Sequence, residues 1–429
     1  MKSRSLLALL GLIGIGLVAS AGYYLWRQAL NSAPISSMPS VSTTSSEPPF
    51  VKPPTPAFPE PEEPVASGGK PRLRWVGPGE GIWEDPQNWE DEGDKTHRLP
   101  GPNDDLLIPE RVGARTVRIL ITDGAPKRVR SLVNRGILRG VVSEKNPTGS
   151  VVLEVEGELI NYRRIESADV RGSEPSAVIL KAQRLRNEYA IEAGRTESTG
   201  PSGGRVEIAV DVLENRDEIS GGDAWGGQGG SVLITARLVH NMGTIRGGRG
   251  GQHAQSPPAP GGDVILTATE EINHYEGQIE GGRSFSSVGG SVRLEAPKIH
   301  HLGGVIRASD GVAQGGSVVL RATRVLLISG TKTSVTGYQI ALSAPEVNIH
   351  GLESKGVQAR ATIESIKITA CEKLNLSATK NKGIFDLPKE GVLSIYVPSE
   401  SAIVLDRGIS LESLSTVSPQ ILSGGGSCP

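Results

Sequence analysis

Cysteine is nearly missing from this chain: 2 in 429 residues exclude a disulfide framework and a four-cysteine zinc site. Aromatic residues are also scarce, at 4%. Neither charge sign dominates. With 45 basic against 47 acidic residues the formal charge is -2, which gives no global electrostatic reason to expect nucleic acid. The 29 prolines are too few, and the glycines lack the strict three-residue period, for a collagen. Neither the zinc motif HExxH nor the phosphate-loop motif GxxxxGK(S/T) occurs, and Gly247 to Gly251 is not such a loop. The aspartate-bearing nonapeptide of calcium-binding β-rolls is missing too. What is abundant is glycine, 55 residues, well above the ordinary share of about 7%. High glycine with few aromatics points to a repetitive β architecture.

Lys2 and Arg4 precede an uncharged apolar stretch from Leu6 to Trp26. Ala19-Ser20-Ala21 fits signal-peptide cleavage, which would release a secreted chain. Continued hydrophobicity through Tyr23, Tyr24, Leu25 and Trp26, then Arg27, fits an uncleaved membrane anchor with an interfacial aromatic belt. Both readings place the body outside the cytoplasm, in the periplasm or at the cell surface, and the membrane is the expected partner of residues 1–27. Residues 28–70 are rich in Pro, Ser, Thr and Glu, so they read as a disordered, partly polyproline spacer.

Beyond the spacer the chain repeats. Gly-Gly-x-Val-x-(Ile/Leu)-x-(Ala/Val) begins at Gly203, Gly229, Gly261, Gly289 and Gly315. Apolar residues two apart mark a strand with one buried face. A second mark, Asn-x-x-x-(Ile/Leu), falls at Asn134, Asn161, Asn187, Asn215 and Asn241, with Asn273 to Ile279 two residues longer and His301 to Val305 substituting the polar member. Both marks share a period near 27 residues. The expected fold is all-β: a single-stranded, right-handed parallel β-helix or solenoid of about ten coils rising about 4.8 Å each. The asparagines are expected to stack as a structural ladder, and the glycine pairs to supply positive φ at corners. Domain limits follow: a cap at 71–125, repeats at 126–388, and a second cap and tail at 389–429. In the first cap Trp75, Trp83 and Trp89 are expected to cover the first coil, with a sugar-binding aromatic platform as the alternative.

Trp83-x-Asp85-Pro86-x-Asn88-Trp89, followed by Pro100-Gly101-x-x-Asp104-Asp105, resembles the opening of many exported bacterial β-helix proteins. Coils such as Gly229-Gly230-Ser231-Val232-Leu233-Ile234-Thr235-Ala236 are similar to filamentous-haemagglutinin-type repeats. The resemblance spans roughly residues 75 to 350 and implies a secreted, surface-associated protein, often an adhesin. This chain lacks the family's Asn-Pro-Asn-Gly type motif and adds an anchor and spacer.

Chemistry is sparse in the sequence. His240, His274, His300, His301 and His350 recur near similar coil positions, and most read as ladder or surface residues rather than a metal file. No catalytic residue, cofactor or metal is expected. The carboxylate pairs Asp104-Asp105 and Glu270-Glu271 carry no supporting context for a polysaccharide lyase or glycosidase, the alternative activity. The basic run Arg111 to Arg139 faces the acid-rich Glu80 to Asp105, so the two are expected to compensate, with an anionic-glycan stripe as the sharper alternative. Cys371 and Cys428 are a possible disulfide in an oxidising compartment. Corner insertions leave packed coils intact, which makes Asp223, Trp225, Gln252 and His253 the expected contact residues for a surface glycan or protein. The expected role is adhesion, binding or envelope structure, without nucleic acid; envelope assembly at the inner membrane is a further alternative. The sequence does not encode the oligomeric state legibly.

Overall fold

The computed structural model describes residues 72–423, except 173, 198–201, 252–257, 310, 312, 331–332, 352–357, 378–384, 388, 406–409 and 416. The segments expected to be anchor and spacer lie outside these residues. Among the described residues no helix is long and apolar enough to cross a membrane.

The alternating apolar pattern becomes a parallel β-solenoid of about ten turns. One coil shows the plan. The strand Arg205–Asn215 buries Val206, Ile208 and Val210, bends, and then buries Leu213 and Asn215. A short strand, Glu218–Ser220, buries Ile219, and a glycine-rich leg closes the coil. Each coil lies in parallel register on the one before. Val178, Val206, Val232, Val264, Val292, Val318 and Ile340 form one file, and Ile191, Ile219, Ile245, Ile279 and Ile306 another. These side chains are almost wholly buried. Each contributes about 1.5–3 kcal/mol of apolar burial, so a cross-section of under ten inward residues suffices once it is stacked.

Parallel stacking is present within the amino-terminal segment as well. Arg72–Trp75 already pairs in parallel with Asp105–Ile108, which pairs with Ser131–Asn134. The tryptophans close that end. Trp89 lies edge-on to Trp75 and Trp83, with ring centroids 5.0 and 4.9 Å away, and all three are buried. Trp89 Nε1 donates to the Trp83 carbonyl at 2.9 Å. At the other end, Val392–Val397 and Ile403–Leu405 continue the parallel stack on Gln358–Ser377, and Gln420–Ser423 adds a last short strand.

The glycine pairs do a different job from the one their sequence suggests. Among the described glycines positive φ occurs at Gly113, Gly149, Gly251, Gly277, Gly304 and Gly330, and at none of the pairs that open the Gly-Gly-x-Val repeat. The pairs instead let two legs of each coil interleave. Gly222 N–H donates to the Gly204 carbonyl (2.7 Å), Gly230 to Gly222 (2.8 Å), Gly248 to Gly230 (2.7 Å), Gly262 to Gly248 (2.9 Å) and Gly282 to Gly262 (2.7 Å). A Cβ on Gly230 would stand 1.8 Å from the Gly204 oxygen, a backbone atom that cannot step aside. This glycine neck pinches the coil. The residues beyond it, such as Asp223 to Gln228 and Arg283 to Val288, form a narrow side lobe with its own parallel bridges, Thr196 to Ala224 and Gly250 to Ser284.

Candidate functional site

The file of polar residues inside the corner is structural. Asn134, Asn161, Asn187, Asn215 and Asn241 have no exposed surface. Each Nδ2 donates to the Oδ1 of the next, at 2.8, 2.8, 2.9 and 2.7 Å. Asn273 departs from the expected file. One extra residue between Ala268 and Glu271 shifts the register, so His274 pairs with Asn241 and Asn273 with His240. A second extra residue, at Gly277 (φ 80°), restores Ile279 to its file. The next coil repeats this with Gly304 (φ 79°), so Ile306 rather than Val305 takes the buried place. The file continues as His274, His301, then Ile328.

The two buried imidazoles stack, with centroids 5.0 Å apart and planes 13° apart. His274 Nδ1 accepts from Asn241 Nδ2 at 3.0 Å, and its buried Nε2 has no hydrogen-bond partner among the described residues. His301 Nε2 donates to the Ser334 carbonyl at 3.2 Å. Burial lowers the His274 pKa to about 4 and drives His301 well below its ordinary value too, with His274 as a further cause. His240 and His300 belong to a different file, where His300 Nδ1 meets Asn273 Oδ1 and Glu271, both at 3.1 Å. His350 Nδ1 bonds to Ser377 Oγ at 2.8 Å. Among the described residues no group of three His, Cys, Asp or Glu is placed to hold a metal ion.

The carboxylates singled out by sequence are engaged as ion pairs. Asp104, 3% exposed, takes both Arg98 Nη atoms at 2.6 and 2.7 Å, and Asp105 pairs with Arg130. Glu270 takes Arg237 at 2.5 Å. Part of the basic run pairs with the acid-rich stretch, Arg118 with Glu80 (3.1 Å), Lys127 with Glu84 (2.7 Å) and Arg130 with Asp105, whereas Arg139 pairs with Glu166 (3.5 Å) beyond it. Many charges on the coil faces therefore cross-link neighbouring coils. Trp75, Trp83 and Trp89 are buried, so none forms an exposed sugar platform. No cysteine is free among the described residues; Cys371 is half-buried, and Cys428 lies outside them.

The side lobe is different. Trp225 is 47% and Phe285 41% exposed. Each follows a bridged residue, Ala224 and Ser284, and Gly251 occupies the same position on the coil between. The two rings therefore stand two coil rises apart, about 10 Å. Gly251 keeps the interval clear of a side chain. Its φ is 59°, and a Cβ there would lie 2.0 Å from Ser286 Oγ. Beside the rings, the Asp223 carboxylate accepts from the Arg249 backbone N–H at 2.8 Å and its guanidinium at 3.1 Å. The Arg283 guanidinium lies 5.0 Å over the Phe285 ring. Asp223 and Trp225 thus share one edge, while Gln252 and His253 lie outside the described residues. Phe285, Arg249 and Arg283 went unrecognised in the sequence, because only the coil register brings them to that edge. No protein-family model, no curated protein and no solved structure matches this chain.

Proposed function

We propose that this chain is an exported, non-enzymatic β-solenoid that presents the edge of its side lobe to a surface glycan or protein, in adhesion or envelope structure. Its amino-terminal segment tethers it to a membrane, or is cleaved, and the proline-rich stretch holds the body away. The right-handed winding and the filamentous-haemagglutinin-like character belong to the same proposal. One contrast carries it. Charged side chains on the coil faces are largely paired across coils, whereas Trp225 and Phe285 are exposed beside Arg249 and Arg283, outside the glycine neck. Exposed aromatics flanked by arginine are the residue types that dominate binding energy at interfaces. Because the lobe lies outside the main core, its edge can vary without disturbing the coils.

Fractionation and protease shaving of intact cells test the address: a body that resists protease and stays with the inner membrane removes surface adhesion and favours envelope assembly. A glycan and protein array tests the edge. The double variant Trp225→Ala, Phe285→Ala is expected to lose captured ligand while keeping the wild-type circular dichroism spectrum.

A further inference from the structure

A cleft of about 1240 Å³ runs along the bend of the long strands, and none of its lining residues belongs to the side lobe. Its floor exists because side chains shrink there. Gly157, Ala182 and Ala209 line it, and the file Arg128, Glu154, Lys181 drops to Ala209 on the next coil. A smaller space of about 380 Å³ adjoins it and extends to Arg237. From Arg130 to Arg237 the bend crosses four coil rises, about 19 Å.

The lining is charge-balanced. Arg128, Arg130 and Lys181 oppose Glu154, Glu156 and Asp211. Four of these six are committed: Glu154 takes Arg128 at 2.8 Å and Lys181 at 3.1 Å, and Arg130 pairs with Asp105. Glu156 and Asp211 are exposed and take part in no ion pair or side-chain hydrogen bond among the described residues. Asp211 stands in register with Gln183 on the coil before it, and Glu156 lies one coil further back, next to Gly157, where that coil carries one extra residue. The cleft therefore offers an amide and a carboxylate in register, Gln183 and Asp211, with the Glu156 carboxylate beside them, on a small-residue floor. No aromatic ring lines it.

We infer that this cleft binds a linear, uncharged oligosaccharide lying along the solenoid axis, at a site separate from the lobe edge. Sugar hydroxyls both donate and accept, so they match exposed carboxylates and an amide grouped along one cleft. A polyanion would meet Glu156 and Asp211, and a polycation would meet Lys181 and Arg128, so either is disfavoured by like charge. The open length suits a chain of several rings rather than a monosaccharide.

Isothermal titration of the detergent-solubilised full chain with cello-, malto-, manno- and chitohexaose tests this, with polygalacturonate and hexalysine as charged probes. At least one neutral hexasaccharide is expected to bind, with little change as salt is raised. Ala209→Arg fills the floor at a position where Arg128 and Arg321 stand on other coils, so the fold tolerates the side chain. It should weaken binding about tenfold or more, a difference of about 1.4 kcal/mol at least. Asp211→Asn should weaken it less, and Trp225→Ala should leave it unchanged, which separates this site from the lobe edge. Silence of every neutral hexasaccharide, tighter binding of either charged probe, or binding that survives Ala209→Arg with unaltered melting would each overturn the inference.

Discussion

Asn187 is fully buried yet uses its whole amide. Its Nδ2 donates to the Tyr189 carbonyl (2.9 Å), Asn215 Oδ1 (2.9 Å) and the Glu218 carbonyl (3.1 Å), and its Oδ1 accepts from Asn161 (2.8 Å). Buried polar groups are inexpensive only while every partner is present. Asn187→Ala leaves the Asn215 oxygen without its donor, while the Asn161 amide keeps the Arg163 and Ala190 carbonyls, a loss of about 2 kcal/mol. A lowered urea midpoint checks it, and an unchanged midpoint would show the file to be dispensable. This file was legible in the sequence through Asn241, because spacing and residue type agreed on every coil. It was misread at Asn273, since a one-residue bulge moves the buried place to His274 and no residue type announces a bulge. The paired glycines were legible as a feature and misread as a cause. The sequence shows two glycines side by side, but only the stacked coils show that each faces the backbone of a neighbouring leg.

At the scale of one element, the coils at Val264–His274 and Val292–His301 exchange amide for imidazole, and each takes a longer corner with a left-handed glycine. Both rings must stay neutral in this apolar corner. In the unfolded chain a histidine takes up its proton near pH 6.5, whereas folded His274 does so near 4. Between those values the unfolded chain binds more protons, so stability is complete above about pH 6.5 and falls as the pH drops toward 4. For His274 the full loss is about 3 kcal/mol, and His301 adds in the same direction. Glu271, held below the ordinary 4.5 by its hydrogen bond to His300, gives stability that is complete above about 4.5 and is lost only in stronger acid. Denaturant midpoints should therefore decline from pH 6.5 to 4 in the native chain. His274→Asn with His301→Asn, which extends the asparagine file, should flatten that slope. A slope that survives the double change would place the acid sensitivity elsewhere.

Over the whole described body, the repeat was legible because apolar residues two apart and a shared period of about 27 are direct consequences of stacking. The surface sites were only partly so. Trp225 stood out as an aromatic residue in a corner segment, but Phe285 and the cleft residues Glu156, Gln183 and Asp211 become neighbours only when coils about 27 residues apart are stacked. The same dependence on neighbours governs the ends, where a coil has a partner on one side only. Tryptophans fill the amino-terminal end. At the other end the protection is a shortening of strands, from Gln358–Ser377 with 20 residues, to Val392–Val397 with 6, to Gln420–Ser423 with 4. A short last strand presents few free N–H and carbonyl groups to another chain, and three of its four residues are exposed. Removing residues 391–429 strips that taper and leaves the 20-residue strand as the open edge. The shortened chain is expected to associate end to end as its concentration rises, while the full chain holds a constant size. Size-exclusion chromatography with light scattering reads this directly, under reductant for both chains because the deletion also removes Cys428. If both elute at the same mass across the series, the taper is not what keeps this end of the stack closed.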